Sequence, residues 1–590
     1  MMSIFGHSVP RVLRQKACPA LMAAALCSMP VAASANNEGT KAARIGITGE
    51  GGITYAAPEA TRSARAMPGL DTMLASGDAT DRRLEWFYEA RGYEPVWSKG
   101  KGVISPAGAR ALIAAIEGVE AHALAPRRYD IAGLQAALKR PWDAAAEREY
   151  TRAYLKLARD LGSGVLEPRR LSRNIDVEPA RPDPDELLAR LGATREIDRL
   201  LTGLAPQTAD YQALVAEYAR LTALADEPDV WGPQVAKGAT LRIGERSARV
   251  VALRARLRVM GDYASDAVTA DEATVVAAAD VTADVPIDTG GPDDRRFDEA
   301  LETAVKRFQA RHGLNEDGVV GPATLDALNT PPSVRARQLA VNLERARWNN
   351  GRMRGARIVT NLPDYKVRVY RADETVRYES RVVIGKYRHQ TVEFSHEMDH
   401  MVVNPTWFVP NSIAVNEILP KLQEDPGYLA SKNMRLVGAD AEMIEWEFVT
   451  PATFPGRVRQ RPGPGNALGK VKFMFPNRHA IYLHDTPQKR LFKRDHRAYS
   501  HGCVRVETPD EFAKVLLEGQ VDDPAASFEA WVKRGRERYV ELDRKLPVHL
   551  IYRTAWRDGQ GTVQFRRDVY RRDALVADAL EKLGARLPQG

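Results

Sequence analysis

The stretch HDTPQKRLFKRDHRAYSHGCVRV, residues 484–506, carries three histidines, five basic residues between Gln488 and Tyr499, and the cysteine Cys503. The apolar, alternating AIYLHD leads into it and TPDEF follows, so it reads as a strand end, a basic loop, a short extended piece and a helix start. A thiol attacks as thiolate, and at its ordinary pKa of about 8.5 little is ionised near neutrality. It needs a base. His484, at the end of a strand where a rigid element presents it to a cleft, is the candidate base, and His501 is a candidate organiser of the loop. Gly502 removes a side chain beside the nucleophile, which lets a substrate carbonyl approach backbone N–H groups of an oxyanion hole. Downstream, Thr508, Pro509 and Glu511 predict an N-cap, a first helical position and a capping box.

Outward from this stretch, cysteine usage sharpens the reading. The chain of 590 residues has three cysteines, and two of them, Cys18 and Cys27, lie in residues 1–35. There Arg11, Arg14 and Lys16 precede the small-residue apolar run ACPALMAAALCSMPVAA and an ASA cleavage pattern ending at Ala35, which is the layout of a secretory signal peptide. The run is short for a bilayer span of roughly 20 residues. Export and cleavage leave Cys503 alone, so an intramolecular disulfide is excluded and an unpaired thiol in an oxidising compartment is either buried or kept for reactivity. Loss of three basic residues takes the net charge from +8 to +5, with acids interspersed among the cations. That does not mark a nucleic-acid binder; an anionic extracytoplasmic polymer is the more economical partner.

The chain is long enough for several cores. Residues 36–75 read as a flexible leader rich in Gly, Ala, Ser and Thr. Residues 76–235 show apolar spacings of three and four and predict a helical scaffold domain, with Trp86, Phe87, Tyr93 and Trp97 in its core. Residues 239–330 carry two helical pieces, LRIGERSARVVALRARLRVMGDY and FDEALETAVKRFQARHGLNEDGVVGPATLDALN. Leu253, Leu257, Gly261, Ala304, Val305, Phe308, Gln309, Gly313, Leu314, Asp317, Gly318, Gly321, Thr324 and Leu328 resemble the peptidoglycan-binding domain family, a small three-helix module. An Ala/Asp/Val/Thr-rich insertion at about 264–296 departs from that family and reads as disordered. A helical spacer that binds nothing is the alternative. After a connecting helix in 331–354 the period becomes two: YKVRVYR, RYESRVVIGK, VKFMFP and HAIYLHD are strand candidates in a mainly β domain over 355–555. A helical capping insertion occupies about 410–465, and 556–590 forms a C-terminal extension with a Gly turn and short helix.

His484, fifteen residues and then Ser500-His501-Gly502-Cys503 closely resemble the L,D-transpeptidase catalytic domain, of the long multi-domain type; NPTWFVP, PGPGNALGKVKF and YLHDTP agree. The resemblance implies a multi-domain α+β architecture. It also implies that Cys503 attacks the third residue of a peptidoglycan tetrapeptide stem, releases D-Ala, and passes the acyl group to a second stem as a 3→3 cross-link. His484 is then the base, and His501, Gly502, Ser500 and Asp485 support the oxyanion and loop. Asp485 orients His484 through either its carbonyl or its carboxylate. Arg505, Tyr482 and Trp407 are substrate-side positions, with ordinary core as the alternative for the two aromatics. Val392 stands where the resemblance leads one to expect Pro. The basic loop, with Lys489, Arg490, Lys493, Arg494 and Arg497, is a candidate lid or a solvated loop. No cofactor and no metal are expected. Expected partners are stem peptides and glycan strands, with other wall-synthesis enzymes as candidates; location is periplasmic and wall-associated, membrane-bound only if the signal stays uncleaved. Rival readings are a zinc site using His484, His496, His501 and Cys503, a papain-like hydrolase, a related transfer to a protein or D-amino acid, and a non-catalytic wall-binding scaffold.

Overall fold

The computed structural model describes residues 63, 65–98, 106–194, 196–263 and 294–589. The expected signal peptide, most of the leader and nearly all of the 264–296 insertion lie outside them. The helical region runs from Leu70–Ala75 to Pro228–Trp231. Its first helix falls within the segment assigned to the leader, because Leu70 and Leu74, four apart, are fully buried and dock that turn. Trp97 is buried and donates its Nε1–H to Thr151 at 2.9 Å. Trp86 departs from expectation at 75 % exposed: the Ala79–Glu89 helix buries Leu84 and Tyr88, which turns Trp86 outward.

The helix Pro332–Trp348, expected as a connector, is instead an axis of the molecule. Its buried Glu344 accepts from Val165 N at 2.8 Å, Leu166 N at 2.9 Å and Trp348 Nε1 at 3.0 Å, and pairs with Arg347 at 2.7 Å. Arg345 reaches Asp573 at 2.5 Å. Buried charges need partners, and these come from segments far apart in the chain.

The three-helix module packs helices Ala248–Val259, Glu299–Arg311 and Pro322–Leu328 around Leu253, Leu257, Val305, Phe308 and Leu328. Gln309, 1 % exposed, fixes its turn by donating to Asp317, Val319 O and Thr324 while accepting from Gly318 N.

The C-terminal half contains strands β1 Arg357–Asn361, β2 Lys366–Tyr370, β3 Val376–Gly385, β4 Phe394–Val403, β5 Trp407–Phe408, β6 Met434–Val437, β7 Arg457–Gln460, β8 Val471–Met474, β9 Leu483–His484, β10 Ala498–Ser500, β11 Val504–Val506, β12 Arg538–Ile551, β13 Ala555–Arg557 and β14 Val563–Phe565. Nine form one sheet in the order β10-β3-β11-β9-β8-β4-β12-β1-β2. The capping insertion is not purely helical: β5, β7 and β6 make a three-stranded sheet over its own small core, which includes Leu422, Leu436, Trp446 and Val458. The helix Pro509–Leu517 starts where Thr508 predicts, but no side-chain cap forms. The Thr508 hydroxyl instead meets Ser380 Oγ at 2.9 Å and Tyr378 at 3.0 Å, binding the helix start to β3.

The C-terminal extension returns to the helical region. Val563, Phe565, Val576 and Leu580 share an apolar core with Leu339 and Leu343 of the axial helix. His312 of the three-helix module stacks between Phe308, at 4.0 Å, and Phe565, at 5.6 Å, so the module is docked on the β13–β14 hairpin.

Candidate active site

Strands β9 and β11 run parallel, with Leu483 opposite Val504 and His484 opposite Arg505. One residue back, Val504 N–H donates to Tyr482 O at 3.1 Å, which sets Tyr482 beside Cys503. Paired residues share a face and neighbours alternate, so Tyr482, His484, Cys503 and Arg505 lie on one face. Leu483, Val504 and Val506 point into the core and are fully buried. The next strand places Lys472 opposite His484, adding a cation that sequence reasoning missed because VKFMFP looks like ordinary strand.

The Nδ1 of His484 lies 2.5 Å from Asp485 O. An Nδ1–H donates there, which leaves Nε2 as the unprotonated nitrogen. Asp485 thus orients the ring through its carbonyl; its carboxylate accepts from Thr486 N at 2.6 Å, Lys470 N at 2.8 Å and Lys489 Nζ at 2.7 Å. Burial, reinforced by Arg505 and Lys472, pushes His484 down to about 3. Burial pushes the Cys503 thiol up to about 11, against hydrogen bonds from Tyr482 and the charge of Arg505. Both shifts favour the neutral forms over an ion pair, and the half-buried thiol donates to Ala480 O at 3.7 Å. A thiol whose pKa is raised stays mostly protonated at pH values well below it. Thiolate ultraviolet absorbance, taken as wild type minus Cys503→Ala, is therefore expected to stay flat from about pH 5 to 9. A thiolate band already present at neutral pH contradicts this.

The loop is held from within and from behind. Ser500 Oγ donates to Cys503 O at 2.5 Å and accepts from Gly502 N at 3.2 Å. The Gly502 N–H, expected to face the oxyanion, is thus engaged. Gly502 has φ +119°. A Cβ there would meet no protein atom nearer than 3.9 Å, so within the protein itself the demand for glycine comes from the positive-φ backbone. Thr391 Oγ1 donates to Gly502 O at 2.8 Å and accepts from Gly385 N at 3.0 Å, while Tyr570 donates to Gly385 O at 2.6 Å. Arg572 donates to Thr391 O at 2.8 Å and pairs with Glu393 at 2.7 Å. Glu393 N in turn donates to Asn174 O at 2.9 Å, and Asp176 N to Glu393 O at 2.8 Å, so the scaffold adds a bridge to the same support. Thr391 and Gly502 are 111 residues apart and Arg572 and Thr391 are 181. No local signal links them.

His501 Nε2 lies 2.6 Å from Glu417 of the capping insertion and 3.1 Å from Lys386 Nζ, so the loop and the cap meet there. Arg505 donates to Gln488 at 2.8 Å, its Nε is buried without a partner, and no carboxylate pairs with it among the described residues. Trp407 packs on the capping core, and among the described residues no ring contact or hydrogen bond brings it to Cys503. The candidate zinc ligands diverge: His496 turns to Tyr365 at 3.0 Å, and no cluster of three ligand-type side chains occurs among the described residues.

This geometry presents a thiol and an imidazole on one sheet face. Residues 355–524 match the L,D-transpeptidase catalytic domain family, 82–217 the scaffold domain family and 287–328 the peptidoglycan binding domain family. A relative from Haemophilus influenzae named "Putative L,D-transpeptidase" is 36% identical over 249 residues, covering 40% of this chain and 48% of that protein. The chain thus spans about half the length of that relative. An L,D-transpeptidase structure from Stackebrandtia nassauensis covers 54% of this chain and 96% of its own at 13% identity. Its TM-score of 0.21 is too low to bear on the fold. Three segments of the chain thus match, in order, a scaffold, a peptidoglycan binding and an L,D-transpeptidase catalytic domain family.

Proposed function

We propose that the chain is a periplasmic, wall-associated L,D-transpeptidase that forms 3→3 peptidoglycan cross-links through a Cys503 thioester. One observation carries the reading: the β9–β11 register sets a thiol, an imidazole with Nε2 unprotonated and a guanidinium without a carboxylate on one face. Cys503 Sγ attacks the carbonyl carbon of the third stem residue as its proton passes to His484 Nε2. The C–N bond to D-Ala then breaks, and His484 returns the proton to the leaving amine. The amine of a second stem, typically of diaminopimelate, attacks the thioester and gives its proton to His484. The C–S bond breaks and the thiol is re-formed. With the Gly502 N–H engaged, the tetrahedral oxyanion falls to the Cys503 N–H and the Tyr482 phenol, which burial and the neighbouring thiol keep protonated. Arg505 pairs with a stem carboxylate in a two-pronged hydrogen bond.

Incubation of the mature, reduced protein with a carbapenem is expected to add the drug's mass at Cys503, and Cys503→Ala is expected to abolish the adduct. Absence of an adduct on folded protein counts against the reading. Muropeptide analysis after incubation with tetrapeptide-rich wall is expected to show 3→3 dimers. Stems exchanged with D-amino acids or attached to protein would instead reassign the acceptor.

A further inference from the structure

The turn that joins β8 to β9, residues 475–482, carries two groups that meet Cys503. Ala480 O accepts from the thiol at 3.7 Å, and the Tyr482 phenol interacts with the same sulfur. Ala480 holds φ +52°, a left-handed conformation that a non-glycine residue keeps only where its surroundings impose it. Two clamps do so. From inside, Asn477 Nδ2 donates to Phe475 O at 2.6 Å and Ile481 O at 2.7 Å, while its Oδ1 accepts from His479 N at 3.0 Å. From outside, the His479 ring rests on buried Phe394, centroids 5.0 Å apart, and its Nε2 donates to the carboxylate of Asp176 at 2.7 Å.

Asp176 belongs to the scaffold, 303 residues away in the chain, and is itself fixed. Its N–H donates to Glu393 O, and its carboxylate also takes Arg169 at 2.8 Å and Arg478 at 2.6 Å. Burial opposes the charge, but hydrogen bonds from His479, Arg478 and Arg169 outweigh it and hold Asp176 below the usual carboxylate range. Arg478 is 70% exposed, so its pair contributes little; the His479 and Asp176 side chains are only 17% and 12% exposed. Two residues earlier, Asn174 donates to Gln390 at 3.3 Å, beside the threonine that holds Gly502. One short scaffold segment thus reaches both the support behind Gly502 and the turn that meets the thiol.

We propose that Asp176 is a positioning residue for Cys503: through His479 it holds the 475–482 turn so that the Ala480 carbonyl and the Tyr482 phenol face the sulfur. The scaffold then sets the rate of acylation without touching substrate. The inference rests on the reading of Cys503 as the acylated residue.

The test follows carbapenem acylation of the full chain by time-resolved intact mass over a range of drug concentrations. Asp176→Ala removes the acceptor. His479→Phe keeps a ring against Phe394 but has no donor, whereas His479→Gln keeps an amide N–H near the position of Nε2. A 1 Å misplacement near a reacting atom costs about 10²-fold, and a loosened turn is expected to lower the saturating rate about tenfold in Asp176→Ala and His479→Phe. The half-saturating concentration is expected to stay within about twofold, and His479→Gln to keep the rate within about threefold. The final adduct stoichiometry counts the folded fraction of each variant, and rates are taken on that fraction, so lost stability does not pass for lost rate. Rates within about threefold of wild type in both disrupting variants, or an equal loss in all three, overturn the proposal. No adduct on the wild-type protein defeats the reading of Cys503 instead, whereas a wild-type adduct with unaffected variants defeats the positioning role alone.

Discussion

Replacing His484 with alanine is expected to slow carbapenem acylation of Cys503 by about 10²- to 10⁴-fold, the usual contribution of a positioned general base. The effect is large because the thiol is protonated at rest, its pKa pushed up to about 11 by burial. Without the imidazole, the proton has no acceptor as the C–S bond forms. His484→Asn is the informative companion: an amide keeps a donor near the Asp485 carbonyl, which the ring now satisfies at 2.5 Å, but supplies no base. Both variants are expected to be slow and the asparagine variant to retain the wild-type melting temperature. Time-resolved intact mass measures the rates. A slowdown below about threefold would assign the proton to another group.

Arg572→Met is expected to destabilise the protein by about 3–5 kcal/mol, the cost of stranding one member of a buried pair. The side chains of Arg572 and Glu393 are 1% and 4% exposed, and Glu393 is already pulled toward its neutral form by burial, opposed by Arg572 and Arg345. The same guanidinium donates to the backbone carbonyl of Thr391, the residue whose hydroxyl holds Gly502 O. Acylation is therefore expected to fall along with the unfolding midpoint in urea. The double variant Arg572→Met/Glu393→Leu, which removes both charges, is expected to recover part of the stability but not the loop geometry. If the single variant loses less than about 1 kcal/mol, the pair is not the support described above.

Much of the catalytic half was legible in linear text. Period-two runs such as YKVRVYR and RYESRVVIGK became β2 and β3, since alternation is imposed by the strand itself. Apolar spacing of three and four located the helices in the same way, and buried Leu253, Leu257 and Phe308 follow it. The failures have a common origin. Trp86 is apolar yet exposed, because which face of a helix is buried depends on what packs against it. The Thr508 capping box is absent, because Ser380 and Tyr378 compete for the hydroxyl. Leu70–Ala75 is helical despite a leader-like composition, because a tertiary surface receives its two leucines.

Local chemistry and spacing were enough to single out Cys503 as candidate nucleophile and His484 as candidate base, since residue type, periodicity and short-range turns are written within a few neighbours, and the module types came from the resemblance of short motifs. Long-range assembly supplied the rest. Strand register put His484, Tyr482, Lys472 and Arg505 on the face of Cys503, and burial shifts His484 and Cys503 toward their neutral forms. Chain segments more than a hundred residues apart, at Thr391 and Arg572, hold the loop behind it. These features depend on which strand lies beside which and on how much water is excluded, and neither quantity exists until the chain has closed on itself.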